Sequence, residues 1–185
     1  MIRARHIQAA SRKQGGHDAQ AAGDSFEEWI AGGLLRLQNR GRIGSWAKQY
    51  PPMRATKIAG RLAFVLLDGF TGPPDFAVSA AGLNWAFDAK STAGARLPWS
   101  AVKPHQAEDL SAWQAEAPHH RAALLVRFHV DGERVEVLVP WAVVESRWRA
   151  WASGEAARGD ASLHVDEALR VGWAKWGAAL AGEKV

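Results

Sequence analysis

The chain has 185 residues, a hydrophobic fraction of 48% and a formal charge of +4, which suits one domain with its own core. It has no cysteine, so disulfides, thiolate metal sites and cysteine nucleophiles are excluded, and such usage fits a reducing cytoplasm. No apolar run approaches the length of a membrane span, and the polar, basic N-terminus lacks the apolar stretch of a secretory signal, so a membrane partner is not expected.

The charge is unevenly spread. Residues 1–60 hold ten Lys/Arg against four Asp/Glu, a balance of +6, while residues 61–185 hold thirteen against fifteen, a balance of −2. A basic first third is what a chain gripping a phosphate backbone would carry. Residues 1–22, with Arg3, Arg5, Arg12 and Lys13 among Gln, Ala and Gly, read as a flexible basic arm or as a frayed tail with no role. Residues 23–185 read as a single domain.

In chain order, Asp24 and Ser25 start a helix running to about Gln38, with Phe26, Ile30, Leu34 and Leu37 as its buried stripe. Ile43–Gln49 reads as a short strand before Pro51-Pro52. A basic connection, Arg54 to Arg61, leads to an apolar strand, Leu62 to Leu67, and Gly69–Pro74 forms a turn that delivers Asp75. Strands 75–80 and 84–91 form a hairpin about Gly82. A helix from about Val102 to Glu116 follows, then strands Arg121–Val130 and Arg134–Val139 joined by Asp131-Gly132-Glu133, a strong hairpin signal. Pro140 begins a helix with Trp141, Val144, Trp148 and Trp151 on one side, and Asp166 caps a last helix holding Leu169, Trp173, Trp176 and Leu180. The tryptophan-rich helical C-terminal region spans about 140–181. This order predicts an α/β (α+β) fold, a mixed sheet flanked by helices.

The chemistry concentrates in Asp88-Ala89-Lys90. Side chains alternate along a strand, so Trp85, Phe87 and Ala89 face one way and Asp88 and Lys90 the other. The hairpin about Gly82 can bring Asp75 beside Asp88. Two carboxylates at one spot repel each other unless a divalent cation sits between them. Asp75 and Asp88 would then hold Mg²⁺, with the carbonyl of Ala89 as a further oxygen donor, and Lys90 would orient or deprotonate a water or stabilise charge on a phosphate. Glu27 is the natural third carboxylate, directly or through a water. As alternatives, Glu27 is the third residue of a capping box begun by Asp24, Asp75 is a turn residue, and Asp88 with Lys90 is a surface pair. His105-Gln106 on the next helix is a candidate for placing a water or a phosphate. The seven histidines show no HxxxH or HxH spacing, against a zinc site, and no GxSxG, GxxxxGK[ST] or GxGxxG occurs.

The ordered set Phe26-Glu27-x-x-Ile30, Lys48-x-x-Pro51, Pro74-Asp75-Phe76, Phe87-Asp88-Ala89-Lys90-Ser91-Thr92, Leu97-Pro98 and His105-Gln106 resembles the RecU-type Holliday junction resolvases, of the PD-(D/E)xK nuclease superfamily. The likeness covers about residues 23 to 145. It implies a restriction-endonuclease-like core with a protruding stalk, here a short insertion at about 51–67. It also implies a homodimeric endonuclease of four-way DNA junctions that uses Mg²⁺, for which Mn²⁺ substitutes. The catalytic positions would be Glu27, Asp75, Asp88 and Lys90, with Thr92 and Gln106 nearby. The chain departs from the family in carrying Asp88 where Glu is usual, in a shorter stretch between Pro51 and Asp75, and in its tryptophan-rich C-terminus. That compact form suggests a phage or mobile-element version, acting in the cytoplasm of a bacterium or a phage-infected host.

Two other readings stand beside the junction resolvase: a restriction-like or repair nuclease acting on duplex or flap DNA, and a DNA-architectural protein without activity. For each of them Arg36, Arg40, Arg42, Lys48, Arg54, Lys57, Arg61 and Thr92 are the expected DNA contacts.

Overall fold

Three layers are built on one five-stranded sheet, seen in a computed structural model that describes residues 25–50, 73–157 and 160–182, and the backbone of 53–58 and 61–66. The basic arm lies outside the described residues, as does most of the predicted turn before Pro73. A first helix, α1, covers 25–39. It is followed by β1 (Ser45–Lys48), β2 (Met53–Ile58), β3 (Arg61–Leu66), β4 (Phe76–Ala80), β5 (Leu83–Thr92) and β6 (Arg96–Pro98). After a 3-10 turn at Trp99–Ala101 come α2 (Pro104–Glu116), β7 (His120–Val130), β8 (Glu133–Pro140), α3 (Trp141–Ala152), β9 (Ser162–His164), α4 (Val165–Val171) and α5 (Trp176–Leu180).

The sheet order is β1-β4-β5-β7-β8. Only β5 and β7 pair in parallel; the other neighbours are antiparallel. A parallel pair needs a crossover connection, and α2 supplies it. The two antiparallel hairpins turn on two residues each, Ala81-Gly82 and Asp131-Gly132, all with positive φ (51° and 76°, 51° and 83°), the backbone that a tight hairpin of this hand requires.

Each face of the sheet carries its own core. On one side Leu124, Val126 and Phe128 of β7 pack with Leu110, Trp141, Trp148 and Val165. On the other, Ala123 and Leu125 pack with Phe26, Ile30, Leu34, Phe76, Phe87 and Leu180. Strand β7 is therefore apolar on both faces, as a central strand must be. The α1 stripe is as predicted, with Phe26, Ile30 and Leu34 buried and Leu37 packed at its margin.

Three local expectations are corrected. Arg54–Arg61 is not a connection: Met53–Ile58 pairs antiparallel with Arg61–Leu66 in a separate two-stranded sheet, with Arg54 opposite Val65 and Ile58 opposite Arg61. The strand expected from Arg121 begins one residue earlier, at His120, which is 9% exposed and stacks on Trp113 at 4.4 Å between ring centroids. The last helix is two helices. α4 packs in one core and α5 in the other, so the chain must cross the edge of the sheet between them. It does so at Trp173, whose N–H and C=O exchange hydrogen bonds with Leu138 of edge strand β8 (2.9 and 3.0 Å). Gly172 makes this approach possible, since a Cβ there would lie 2.6 Å from the Leu138 carbonyl oxygen. The cap of α4 is His164, whose Nδ1 accepts from the Asp166 N–H at 3.2 Å.

Among the described residues no helix is long and apolar enough to cross a membrane.

Candidate active site

Strand β5 outruns its neighbour. β4 pairs with it only as far as Phe76 opposite Phe87, whereas β7 follows it to Thr92. From Asp88 onward the β4 side of β5 is open, and the chain entering β4 at Asp75 fills that gap with side-chain bonds. The Ala89 N–H donates to Asp75 Oδ2 at 2.8 Å, and the Asp75 N–H donates to Asp88 Oδ1 at 3.1 Å. Each aspartate is thus held by backbone from the other's segment. This reciprocal latch fixes two like charges side by side.

The alternation in β5 is as predicted. Trp85, Phe87 and Ala89 face the α1 core, while Asp88, 1% exposed, and Lys90 face α2. Lys90 Nζ donates to Gln106 Oε1 on α2 at 3.0 Å and lies 3.4 Å from Asp88 Oδ2, a looser contact. Gln106 Oε1 also accepts the Lys103 N–H at 3.1 Å, which ties the start of α2 to the ammonium group. Glu27 on α1 takes Lys48 at the end of β1, with Oε2 at 2.9 Å from Nζ. The four predicted acid and base positions, together with Gln106, therefore gather at one end of the sheet.

The electrostatics record the crowding. The Asp75 carboxyl is pushed up to about 6, first by burial and then by the charge of Asp88, with a smaller push from Glu27; the Ala89 N–H and Lys90 pull against it. Lys48 is held above the ordinary lysine value, chiefly by its hydrogen bond to Glu27, and it also feels Asp75.

The donor set suits a hard divalent cation. Asp75 Oδ1 makes no hydrogen bond with the described residues, and Asp88 presents a second carboxylate. In an extended strand the N–H and C=O of one residue project to the same side, so the Ala89 carbonyl projects toward Asp75 as its N–H does. Among the described residues no group of three or more His, Asp and Glu side chains is placed to hold a metal by itself, and the Glu27 carboxylate is engaged by Lys48. An ion at Asp75 and Asp88 would therefore take most of its shell from the carbonyl, water and a phosphate, which is how Mg²⁺ is ordinarily held.

One acidic residue was missed. Asp109 lies one turn beyond His105 on α2, and its carboxyl is raised by burial and by the charge of Asp88, with His105 pulling the other way. Its Oδ2 is enclosed without a hydrogen-bond partner. The signal was present in the sequence: His105, Gln106 and Asp109 recur at the i, i+1, i+4 spacing of one helix face.

The expected DNA contacts are scattered. Lys48 is committed to Glu27, and Thr92 donates from Oγ1 to the Arg96 carbonyl at 2.8 Å. Arg36 lies exposed on α1, and Arg40 and Arg42 are exposed just beyond its end. Arg54 and Lys57 belong to β2 and Arg61 to β3; their side chains lie outside the described residues. The chain matches no model of a known protein family and no curated protein in sequence.

Proposed function

We propose that the chain is a metal-dependent endonuclease of branched DNA, with the PD-(D/E)xK type of core that its resemblance to the RecU-type resolvases implies. The observation that carries this reading is the latch. Asp88 accepts the Asp75 N–H, Asp75 thirteen positions upstream accepts the N–H of Ala89 next to Asp88, and the lysine two residues beyond Asp88 stands over it. A surface pair or a turn aspartate would have no need of such an arrangement, in which buried like charges are kept together at a cost.

On this reading Asp75, Asp88 and the Ala89 carbonyl hold Mg²⁺, with Glu27 contributing directly or through water. The ion, when bound, neutralises the phosphate and acidifies a water. Lys90, steadied by Gln106, presents its ammonium group to the charge that develops on the phosphate oxygens. The Asp75 carboxyl, with its raised value, is close to the range in which a group takes up or gives back a proton near neutrality. Symmetric cutting of a four-way junction needs two such sites, hence a two-fold dimer.

The test is cleavage of a labelled four-way junction and of matched duplex and flap substrates with Mg²⁺ or Mn²⁺. Junction cutting by the wild-type chain, and its loss with retained binding in Asp88→Asn, is the expected result. Preferential cutting of duplex or flap would keep the chemistry and change the substrate. No cutting of any DNA would leave a non-catalytic DNA-binding protein.

A further inference from the structure

A second feature lies on the other side of α1. Trp29, Gly33, Arg36 and Arg40 recur along one helical stripe and, with Lys175 and Trp176 at the start of α5, line a groove of about 290 Å³. Glu27 lies roughly 150° around the helix axis from the middle of that stripe, so the groove faces away from the aspartate pair.

Its construction is specific. Gly33 sits where any side chain would strike Trp176, since a Cβ there would be 2.9 Å from the indole ring. A mid-helix glycine costs about 1 kcal/mol relative to alanine, so the close approach of Trp176 has a stabilising role to offset it. Trp29, 38% exposed, is mounted rigidly: it stacks on Phe26 at 6.0 Å, tilts against Trp176 at 5.7 Å, and lies 4.7 Å from the guanidinium of Arg127. Arg127 is itself fixed by Glu136 at 2.8 Å. Around this indole Arg36, Arg40 and Lys175 are exposed, none is ion-paired among the described residues, and no acidic residue lines the groove. A fixed aromatic surface rimmed by free cations is the combination that binds single-stranded nucleic acid, with bases on the ring and phosphates on the cations.

We propose that this groove holds an unpaired stretch of DNA, with one base against Trp29 and the neighbouring phosphates on Arg36, Arg40 and Lys175. Duplex would not serve, because its bases offer no free face to the indole. The choice of DNA rests on the nuclease reading; the groove itself does not. Placed off the cutting face, it would hold a strand other than the one being cut.

The experiment uses the full chain with EDTA, so that nothing is cleaved, and a fluorescein-labelled oligothymidylate read by anisotropy across a salt series. Arg36→Gln/Arg40→Gln/Lys175→Gln should lower the slope of log K against log salt by about 2, from three lost phosphate contacts on a single strand. Trp29→Ala should weaken binding about tenfold, and Trp29→Phe, which keeps a ring and guards against a folding defect, should restore most of it. An unchanged slope in the triple variant, or equal affinities for Trp29→Ala and Trp29→Phe, overturns the proposal. So does a heparin fragment that competes equally well against the wild type and Trp29→Ala, which would make the groove a polyanion patch. Junction cleavage is scored separately. A chain that holds the oligonucleotide here but cuts nothing keeps the groove and loses the nuclease; one that cuts but fails the salt test does the reverse.

Discussion

Asp75→Asn tests the latch most directly, because the metal-free protein should gain stability from the loss of a residue proposed to be essential for activity. The Asp75 carboxyl is raised from the ordinary 3.8 to about 6, with burial the largest cause and Asp88 the next. The folded chain thus binds that proton more tightly than the unfolded chain does. Between about pH 4 and pH 6 the native state holds more protons, so stability falls as pH rises, and the full penalty is present above pH 6. That difference in proton affinity corresponds to about 3 kcal/mol. Asparagine has the same shape, and its amide oxygen can accept the Ala89 N–H that Asp75 Oδ2 now accepts. Thermal unfolding in EDTA at pH 8 should therefore show the variant melting about 6 to 12 °C above the wild type for a chain of this size, with the gap closing by pH 4. Mg²⁺ should raise the wild-type midpoint and leave the variant unmoved, since an ion stabilises only the state that binds it. A variant melting at or below the wild type at pH 8 would refute the claim that the two carboxylates are held together against their repulsion.

Gln106→Ala removes the acceptor for Lys90 and the cap on the Lys103 N–H. It should cost about 1 kcal/mol in urea unfolding and lower the cleavage rate roughly 10- to 100-fold while junction affinity holds. Gly172→Ala places a methyl 2.6 Å from the Leu138 carbonyl and should destabilise by about 1–3 kcal/mol with the urea slope unchanged. In calorimetric titrations with Mg²⁺, Glu27→Gln should weaken binding and Lys48→Met should strengthen it; the same sign for both would remove Glu27 from the ion's surroundings.

What the sequence made legible was local. The hairpins follow from Gly82 and from Asp131-Gly132, residues suited to positive φ, whereas Ala81 takes that backbone without announcing it in the sequence. The division of β5 into an apolar face and an Asp88/Lys90 face follows from period two, and the α1 stripe from period 3.6. What it hid was tertiary. Leu169, Trp173, Trp176 and Leu180 keep helical spacing across Gly172, so periodicity extends one helix through the place where Leu138 captures Trp173 in a bridge. The charge of Arg54–Arg61 reads as a loop because its partner strand, which makes it a hairpin, lies beyond the turn. In the candidate site, Asp75, Asp88 and Lys90 were legible through strand order. The Glu27–Lys48 pair was not, because it joins a helix to a strand edge 21 positions on, and no spacing rule links them. Asp109 is legible only from the helix face it shares with His105 and Gln106, not from that dipeptide itself.

The opposite signs expected for Glu27 and Lys48 come from the charge balance of the cluster. Ionised, Glu27, Asp75 and Asp88 bring three negative charges, and Lys48 and Lys90 return two positive ones, leaving one negative charge in excess at a half-buried place. Protonating a carboxyl removes that excess within the protein, and Asp75, raised by burial and by the charge of Asp88, is the carboxyl whose surroundings favour it. On the proposed function, a divalent ion would take these five groups to one positive charge and a phosphodiester would return them to zero. Lys48 stands where its ammonium compensates Glu27 and Asp75, and it is only partly buried, so its own pairing is worth little. Its removal deepens the negative potential that draws the ion, whereas neutralising Glu27 makes that potential shallower.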